Sequence, residues 1–466
     1  MAFPYNEDSN KISQMGHKDV LIAIGSTILI SMACLDPGNL QGDIEVSQDM
    51  SYKSIWVILY AHILLYFFQE ISFVVGCITD NDLGELIASN YPRSLRLFIW
   101  ASSEISVIAA DVQEILGSAI ALYLLLGISQ TVCVPIIITV VFGILMIQDS
   151  AEKIFHLIFL FFLGIMAFCF ARVFILQNPK SDDIINGFIP NIPNSWSFTA
   201  VIGAIIMPQN LFLHSSLIKS KSSERLSKKH VIRIFRIETV VVIAISFIIN
   251  FFIVSVFAHP NYKNENIDLE NAGVMLAKYL PEISKLLWAL GLLASGISSS
   301  STGALVGYYL MNGMLEIKIT RTMRLLITRF ITLIPCLLVL FFFKTNHMIT
   351  LMNIFQFIQL PFVIIPLIRF ATSSKLMGSH VYKGFRIQFV SFFAWVLQLI
   401  NLYSIGKILV HAGMLLKIIG FIAILLQVSI AVVLMISPIT EEKKGENKTN
   451  LKEVVDPEEE TENLLS

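Results

Sequence analysis

The sequence predicts an all-α integral membrane protein of about twelve spans, built as two inverted five-helix repeats (helices 1–5 and 6–10) in which helices 1 and 6 are broken. Three observations carry this. Of the 466 residues 55% are hydrophobic and 14% charged, with a mean hydropathy of +0.73, against roughly 25% charged in soluble domains. Apolar runs long enough to cross a bilayer recur along nearly the whole chain. Two of them are interrupted at mid-depth by a polar break containing proline, Asp36-Pro37-Gly38-Asn39 in the first and Met207-Pro208-Gln209-Asn210 in the sixth. Proline removes a backbone donor and glycine loosens the turn, so the helix unwinds and frees carbonyls that need a partner. Broken helices in corresponding positions of two halves point to a transporter's substrate site near the bilayer midplane.

In order, the spans lie near 20–48 (broken), 54–79, 95–127, 131–147, 154–176 and 198–218 (broken), then 237–258, 286–314, 325–343, 348–371, 389–409 and 415–436. The polar stretch 82–92 is a cytoplasmic link. An even count puts both termini on one side, and charge chooses it. The connection after the sixth span carries Lys219, Lys221, Arg225, Lys228, Lys229, Arg233 and Arg236, and Lys318, Arg321 and Arg324 make a second basic loop, whereas 177–195 and 259–282 hold few bases. By the positive-inside tendency both termini are cytoplasmic. This divides the chain into a cytoplasmic segment 1–18, a transmembrane domain 19–437 and an acidic, disordered cytoplasmic tail 438–466.

Several function classes fall away. The net charge is −1 and the bases are dispersed over loops, which argues against a nucleic-acid partner. No GxxxxGK[ST] is present and no loop can hold an ATPase module. Cys34, Cys77, Cys133, Cys169 and Cys336 sit in apolar runs without CxxC spacing, so disulfide, zinc and redox readings lack support. No nucleophile and base constellation suggests an enzyme, and no resident cofactor is expected.

Leu35-Asp36-Pro37-Gly38-Asn39 and the run Gly203-Ala204-Ile205-Ile206-Met207-Pro208-Gln209-Asn210-Leu211-Phe212-Leu213-His214-Ser215 resemble the two signatures of the natural resistance-associated macrophage protein (NRAMP) family. The likeness continues through Asp111-Val112-Gln113-Glu114, Gly296-Ile297-Ser298-Ser299, Thr302-Gly303, Thr328-Arg329 and Gln356 to Pro361, and only the termini fall outside it. The resemblance implies a LeuT-like fold and a proton-coupled importer of divalent transition metals, located in the plasma membrane or an endosomal or lysosomal membrane.

The donor chemistry points the same way. Asp36 offers a carboxylate, Asn39 an amide oxygen and Met207 a thioether, with the Ala33 and Ala204 carbonyls completing the shell as the helices unwind. Oxygen donors suit Mg²⁺, Ca²⁺ and Mn²⁺, while a thioether favours softer ions, so the set selects Mn²⁺, Fe²⁺ and their neighbours as substrate. Asn353 occupies a position from which family members contribute a polar ligand in some states. A mid-membrane carboxylate is functional by default. The rival readings are a structurally paired Asp36, an Asn39 that only caps the following half-helix, a Met207 that only fills the core, and an Asn353 that only bonds backbone.

A proton path is expected in the third span, where Glu104, Asp111 and Glu114 fall at separations of seven and three, near one face. Arg329 is a plausible counter-charge, and a static ion pair is the alternative. Gln209 stands where the family usually has histidine; an amide cannot titrate, so pH sensing there is lost. Ile297 and Glu70 also depart from common family residues, a polar and a basic one. His214 either relays protons or packs as a hydrogen-bonded histidine. In the tail, Glu460-Thr461-Glu462-Asn463-Leu464-Leu465 resembles an acidic dileucine signal for a sorting adaptor, set against a merely solvated charge run. Two competing functions remain open, a same-fold symporter of another solute such as an amino acid with Na⁺, and a non-transporting membrane sensor. The last two spans carry no evident chemistry.

Overall fold

The computed structural model describes residues 36–191, 196–222, 228–262, 265–315, 317, 320–410 and 414–439. The expected terminal segment, the first half of span 1 with Ala33, and the tail with its dileucine run lie outside them. Helix α1 covers Pro37–Met50, α2 Ile55–Thr79, α3 Leu83–Asn90, α4 Arg93–Leu126 and α5 Gln130–Gln177. They are followed by α6 (Trp196–Ile205), α7 (Pro208–Ser222), α8 (Lys228–Phe257), α9 (Ile283–Leu315) and α10 (Arg321–Phe342). The last four are α11 (Thr345–Gln359), α12 (Pro361–Thr372), α13 (Phe385–Val410) and α14 (Met414–Ile436). Eight described stretches are long and apolar enough to cross a membrane, and three shorter apolar helices join them, at Gln130–Met146, Leu326–Phe342 and Ile424–Ile436.

Local signals account for the breaks. Asp36 is extended (φ −79°, ψ 169°) and caps α1, with Pro37 in the first turn, where a missing N–H costs nothing. Pro208 opens α7 in the same way after α6 stops at Ile205. α3 begins with a reciprocal capping box between Asp82 and Glu85, and α4 ends on Gly127 at φ +70°, a left-handed stop that glycine adopts without strain.

Three spans differ from expectation. Spans 4 and 5 form one unbroken helix of 48 residues, because the polar junction Gln148-Asp149-Ser150-Ala151-Glu152-Lys153 contains neither glycine nor proline. Span 10 is itself interrupted, α11 giving way to α12 at Leu360–Pro361. Pro361 has no N–H for the Phe357 carbonyl four residues earlier, and Asn401 of α13 donates to that carbonyl at 2.6 Å. Gln427 of α14 donates to the next one, Ile358, at 3.2 Å. The last two helices, which showed no chemistry in the sequence, therefore satisfy a break in the repeat domain.

Packing is inverted relative to a water-soluble protein. Phe161, Phe168, Phe330 and Phe341 are exposed, whereas Asp36, Asp43, Glu70, Gln113 and Gln356 are buried; the apolar outer face suits lipid. The interior divides into two apolar cores, one around α2, α6, α7, α8 and α12, the other around α4, α5 and the first half of α9. α4 and α9, which pack along one another, contribute to both. On α4 the change falls between Val107 and Val112, and on α9 between Ala304 and Val306. Asp111, Gln113, Glu114, Thr302 and Gly303 sit at or beside those changes, so the polar layer lies where the two cores meet.

Candidate functional site

At the first break the Asn39 backbone N–H donates to Asp36 Oδ1 at 2.6 Å. The other carboxylate oxygen, Oδ2, is buried without a hydrogen-bond partner, as are both polar atoms of the Asn39 side chain. The capping alternative for Asn39 is thus taken by Asp36, and Asn39 is left with a free amide. Orphaned buried oxygens cost roughly 1–3 kcal/mol each unless something satisfies them. The Pro37 ring lies against Gly117 of α4 so closely that any Cβ there would overlap it.

At the second break, Pro208 has no N–H to offer the Ala204 carbonyl four residues back, which leaves that oxygen available. Met207 is buried and lines a small cavity with Glu114, Gln209, Asn210, Ser299, Thr302 and Gly303. The two breaks meet at α11. A Cβ on Gly203 of α6 would run into the Asn353 carbonyl, while one on Gly38 of α1 would come within 3.1 Å of Asn353 Oδ1. Gly42, one turn further along α1, faces Val201 and Ala204 of α6. The approach of α6 to α11 is possible only because Gly203 lacks a side chain, and that of α1 to α11 is tight at Gly38.

The three acids of α4 have different fates. Asp111 is held in a buried ion pair with Arg329 and also accepts from Ser300 Oγ at 2.8 Å and Thr332 Oγ1 at 2.7 Å. Glu104 pairs with Arg324 and lies ten residues, roughly 15 Å of helix rise, from Glu114. Glu114 and Glu104 each retain an unpartnered oxygen, Oε2, but of the two only Glu114 faces the cavity beside Met207, and Gly117, three residues further along α4, packs against Pro37 next to Asp36. The structure therefore brings Asp36, Met207, Glu114 and Asn353 to one region, and Asn39 follows Asp36 by less than one helical turn. Glu104 stands apart from it.

His214 is also apart. Its ring packs between Phe73, at 5.1 Å, and Phe235, at 6.0 Å between centroids, and neither ring nitrogen has a hydrogen-bond partner. Gln209 accepts from Ser106 Oγ at 3.1 Å and donates to Gln356 Oε1 at 3.2 Å. Sequence reasoning missed one buried residue here and the partners of another. Arg324, counted among the loop bases, is buried on the face that meets α4; its spacing of five from Arg329 against seven between Glu104 and Asp111 was the available signal. Glu70 is fully buried between Arg236 and Arg386, each at 2.8 Å, and accepts from the Tyr382 hydroxyl at 2.8 Å, so the acid in place of the family's base is compensated by two arginines.

Broken helices that meet around unpartnered donors in a lipid-facing bundle define a multi-pass membrane protein of transporter architecture. A crystal structure of the Eremococcus coleocola manganese transporter bound to an aromatic bis-isothiourea substituted compound superposes with a TM-score of 0.76 at 22% identity, covering 91% of this chain and 96% of that one. Mhp1, a nucleobase-cation-symport-1 family transporter, superposes with a TM-score of 0.53 at 13% identity over 90% of this chain and 94% of its own. These likenesses establish the fold. The profile described as natural resistance-associated macrophage protein-like matches residues 27–407. A metal transporter nramp1 homolog of Dictyostelium discoideum is 33% identical over 86% of this chain and 77% of its own length. Natural resistance-associated macrophage protein 2 of Mus musculus is 32% identical over 76% and 69%. The chain belongs to the NRAMP family.

Proposed function

We propose that this chain is a secondary-active importer of divalent transition metals of the Mn²⁺ and Fe²⁺ class, working by alternating access with protons as the coupling ion. The observation that carries this reading is the pair of unpartnered side chains at the first break, Asp36 Oδ2 and the Asn39 amide, in a fold that also frees the Ala204 carbonyl and buries the Met207 thioether beside Glu114. A carboxylate, an amide, a carbonyl and a thioether suit a borderline-soft divalent ion better than an alkaline earth. They do not suit a same-fold symporter of amino acids, whose site would hold a substrate carboxylate rather than oppose one. Relatives carry names that say metal transporter, and the fold is shared with a manganese transporter.

In this reading the ion displaces a proton from Asp36, because only the ionised carboxylate binds metal well. Glu114, facing the same region with a free oxygen, receives the proton, and the Asp111–Arg329 pair beyond it sets the local field. Gln209 cannot carry a proton charge, so it enters only as a hydrogen-bonding group. His214, walled in by Phe73 and Phe235, stands off this route. The test is simultaneous measurement of Mn²⁺ uptake and internal pH in proteoliposomes. The wild-type chain is expected to accumulate Mn²⁺ and acidify the lumen, and Asp36→Ala to lose at least 90% of both. Mn²⁺ uptake without acidification would remove proton coupling; undiminished uptake by Asp36→Ala would remove the site.

A further inference from the structure

Five buried hydrogen bonds run head to tail through the polar layer. Ser106 Oγ donates to Gln209 Oε1 at 3.1 Å, Gln209 Nε2 to Gln356 Oε1 at 3.2 Å, and Gln356 Nε2 to Gln113 Oε1 at 2.7 Å. Gln113 Nε2 then donates to Asn353 Oδ1 at 2.7 Å, and Asn353 Nδ2 to the Gly38 carbonyl at 2.9 Å. Every side chain in the series is buried. The run links α4, α7, α11 and α1, so it ties both repeats together and ends at the first break.

The direction of this chain is dictated by backbone. The Gly38 carbonyl can only accept, so Asn353 must turn its nitrogen to it and its oxygen to Gln113. The Ile349 carbonyl, which accepts from Gln113 Nε2 at 2.8 Å, fixes the Gln113 amide in the same sense. Gln356 must then donate to Gln113 and accept from Gln209, whose remaining oxygen faces the Ser106 hydroxyl. Any single amide flip sets nitrogen against nitrogen or oxygen against oxygen. Hydrogen bonds aligned in this way polarise and reinforce one another.

We infer that Gln356, supported by Gln209, is a positioning residue that keeps the Asn353 oxygen engaged by Gln113 and thereby withholds it from an ion at the α1 break until the ion arrives. This inference rests on the metal-transport reading and deepens it. Gln356 does not touch the ion. By donating to Gln113 it strengthens the grip of Gln113 on Asn353 Oδ1, so completing the metal shell requires breaking one bond of a cooperative series. The ion site consequently exists in two forms, one closed on itself and one opened toward the substrate. Release of the ion is favoured by re-formation of the Gln113–Asn353 bond. An apolar residue of equal length at 356 loosens the series, so the ion binds more tightly and leaves more slowly.

A double-mutant cycle on purified protein in proteoliposomes tests this, with initial Mn²⁺ uptake rates fitted to KM and Vmax. Gln356→Met, which keeps the volume and removes the amide, is expected to lower KM about twofold, the cooperative share of the Gln113–Asn353 bond rather than the whole of it, with Vmax equal to or below wild type. Gln209→Met, one bond further from Asn353, is expected to shift KM in the same direction by less, and it serves if Gln356→Met does not fold. In an Asn353→Ala background, the Gln356→Met shift should vanish. A KM unchanged or raised in both Met variants, or a shift that persists without Asn353, overturns the inference while leaving metal transport standing. A wild-type chain that carries no Mn²⁺ overturns the transport reading, and this inference with it.

Discussion

Asp36 divides its two oxygens between structure and chemistry. One accepts the Asn39 N–H and starts α1; the other has no protein partner. The proline that follows opens the helix here, so the break supplies the cap geometry and leaves Oδ2 free, the opening that the proposed function gives to a cation. In the proposed function Met207 sets selectivity at the opposite break. Met207→Ala is expected to keep Mn²⁺ uptake within about threefold of wild type while Ca²⁺ competition rises by about tenfold, the thioether being the one donor that Ca²⁺ does not favour. Inhibition of Mn²⁺ uptake by added Ca²⁺ checks this, and an unchanged inhibition curve would remove the thioether filter. The candidate donors Asp36, Asn39, Met207 and Ala204 were legible in the sequence because proline and glycine mark where a helix must open. Gln356 and Arg324 were not. The Gln209–Gln356 contact spans 147 positions, and an arginine at the start of a span looks like any other loop base until the helix opposite is known.

At the scale of elements, the link between α2 and α4 shows how one end of the bundle is held. Asp82 caps α3 by accepting from the Glu85 N–H at 2.9 Å, Leu83 N–H donates to Ser215 Oγ of α7 at 3.0 Å, and Lys219 pairs with Glu85 and approaches Asp82 at 4.0 Å. Burial, and then the neighbouring Glu85 charge, push the Asp82 carboxyl up from 3.8 to about 6. A folded-state value above the unfolded one means the native protein holds this proton more tightly. The contribution to stability is therefore full below about pH 4 and is lost as pH rises through about 6. Asp82→Asn keeps an oxygen for the cap and never ionises. Thermal unfolding in detergent should show it more stable than wild type by about 1–2 kcal/mol near neutral pH, with the difference vanishing near pH 4; a loss of stability at neutral pH would mean the pairing with Lys219 outweighs burial. The break between α11 and α12 teaches a related point. Pro361 was visible in the sequence, but its consequence was not, because the donors that answer the freed carbonyls come from Asn401 and Gln427, on helices with no evident role of their own.

Across the whole molecule, hydropathy made the membrane class and the approximate span order readable, since lipid demands long apolar helices with internally satisfied backbones. It gave a poor account of where helices continue: the junction of spans 4 and 5 is polar yet helical throughout, because polarity alone does not terminate a helix when the residues are good helix formers. The division into two apolar cores with a polar layer at their meeting gives alternating access a physical basis. One core groups α2, α6, α7 and α12, the other α5 and the first half of α9, and α4 and α9 run through both, with Asp111, Gln113, Glu114, Thr302 and Gly303 at or beside the change. In the proposed function, a rocking of one core against the other would change which side the layer faces while the donors stay together.

In the proposed function, donors from the two broken helices share one divalent ion. Crystals of the full chain soaked in Mn²⁺, with data collected at the manganese absorption edge, test it most directly. The account predicts a single strong anomalous peak between Asp36 Oδ2 and the Met207 sulfur, within reach of the Asn39 amide oxygen and the Ala204 carbonyl, and its loss in Asp36→Ala. A peak bound elsewhere, or one that survives the loss of that carboxylate, would contradict it.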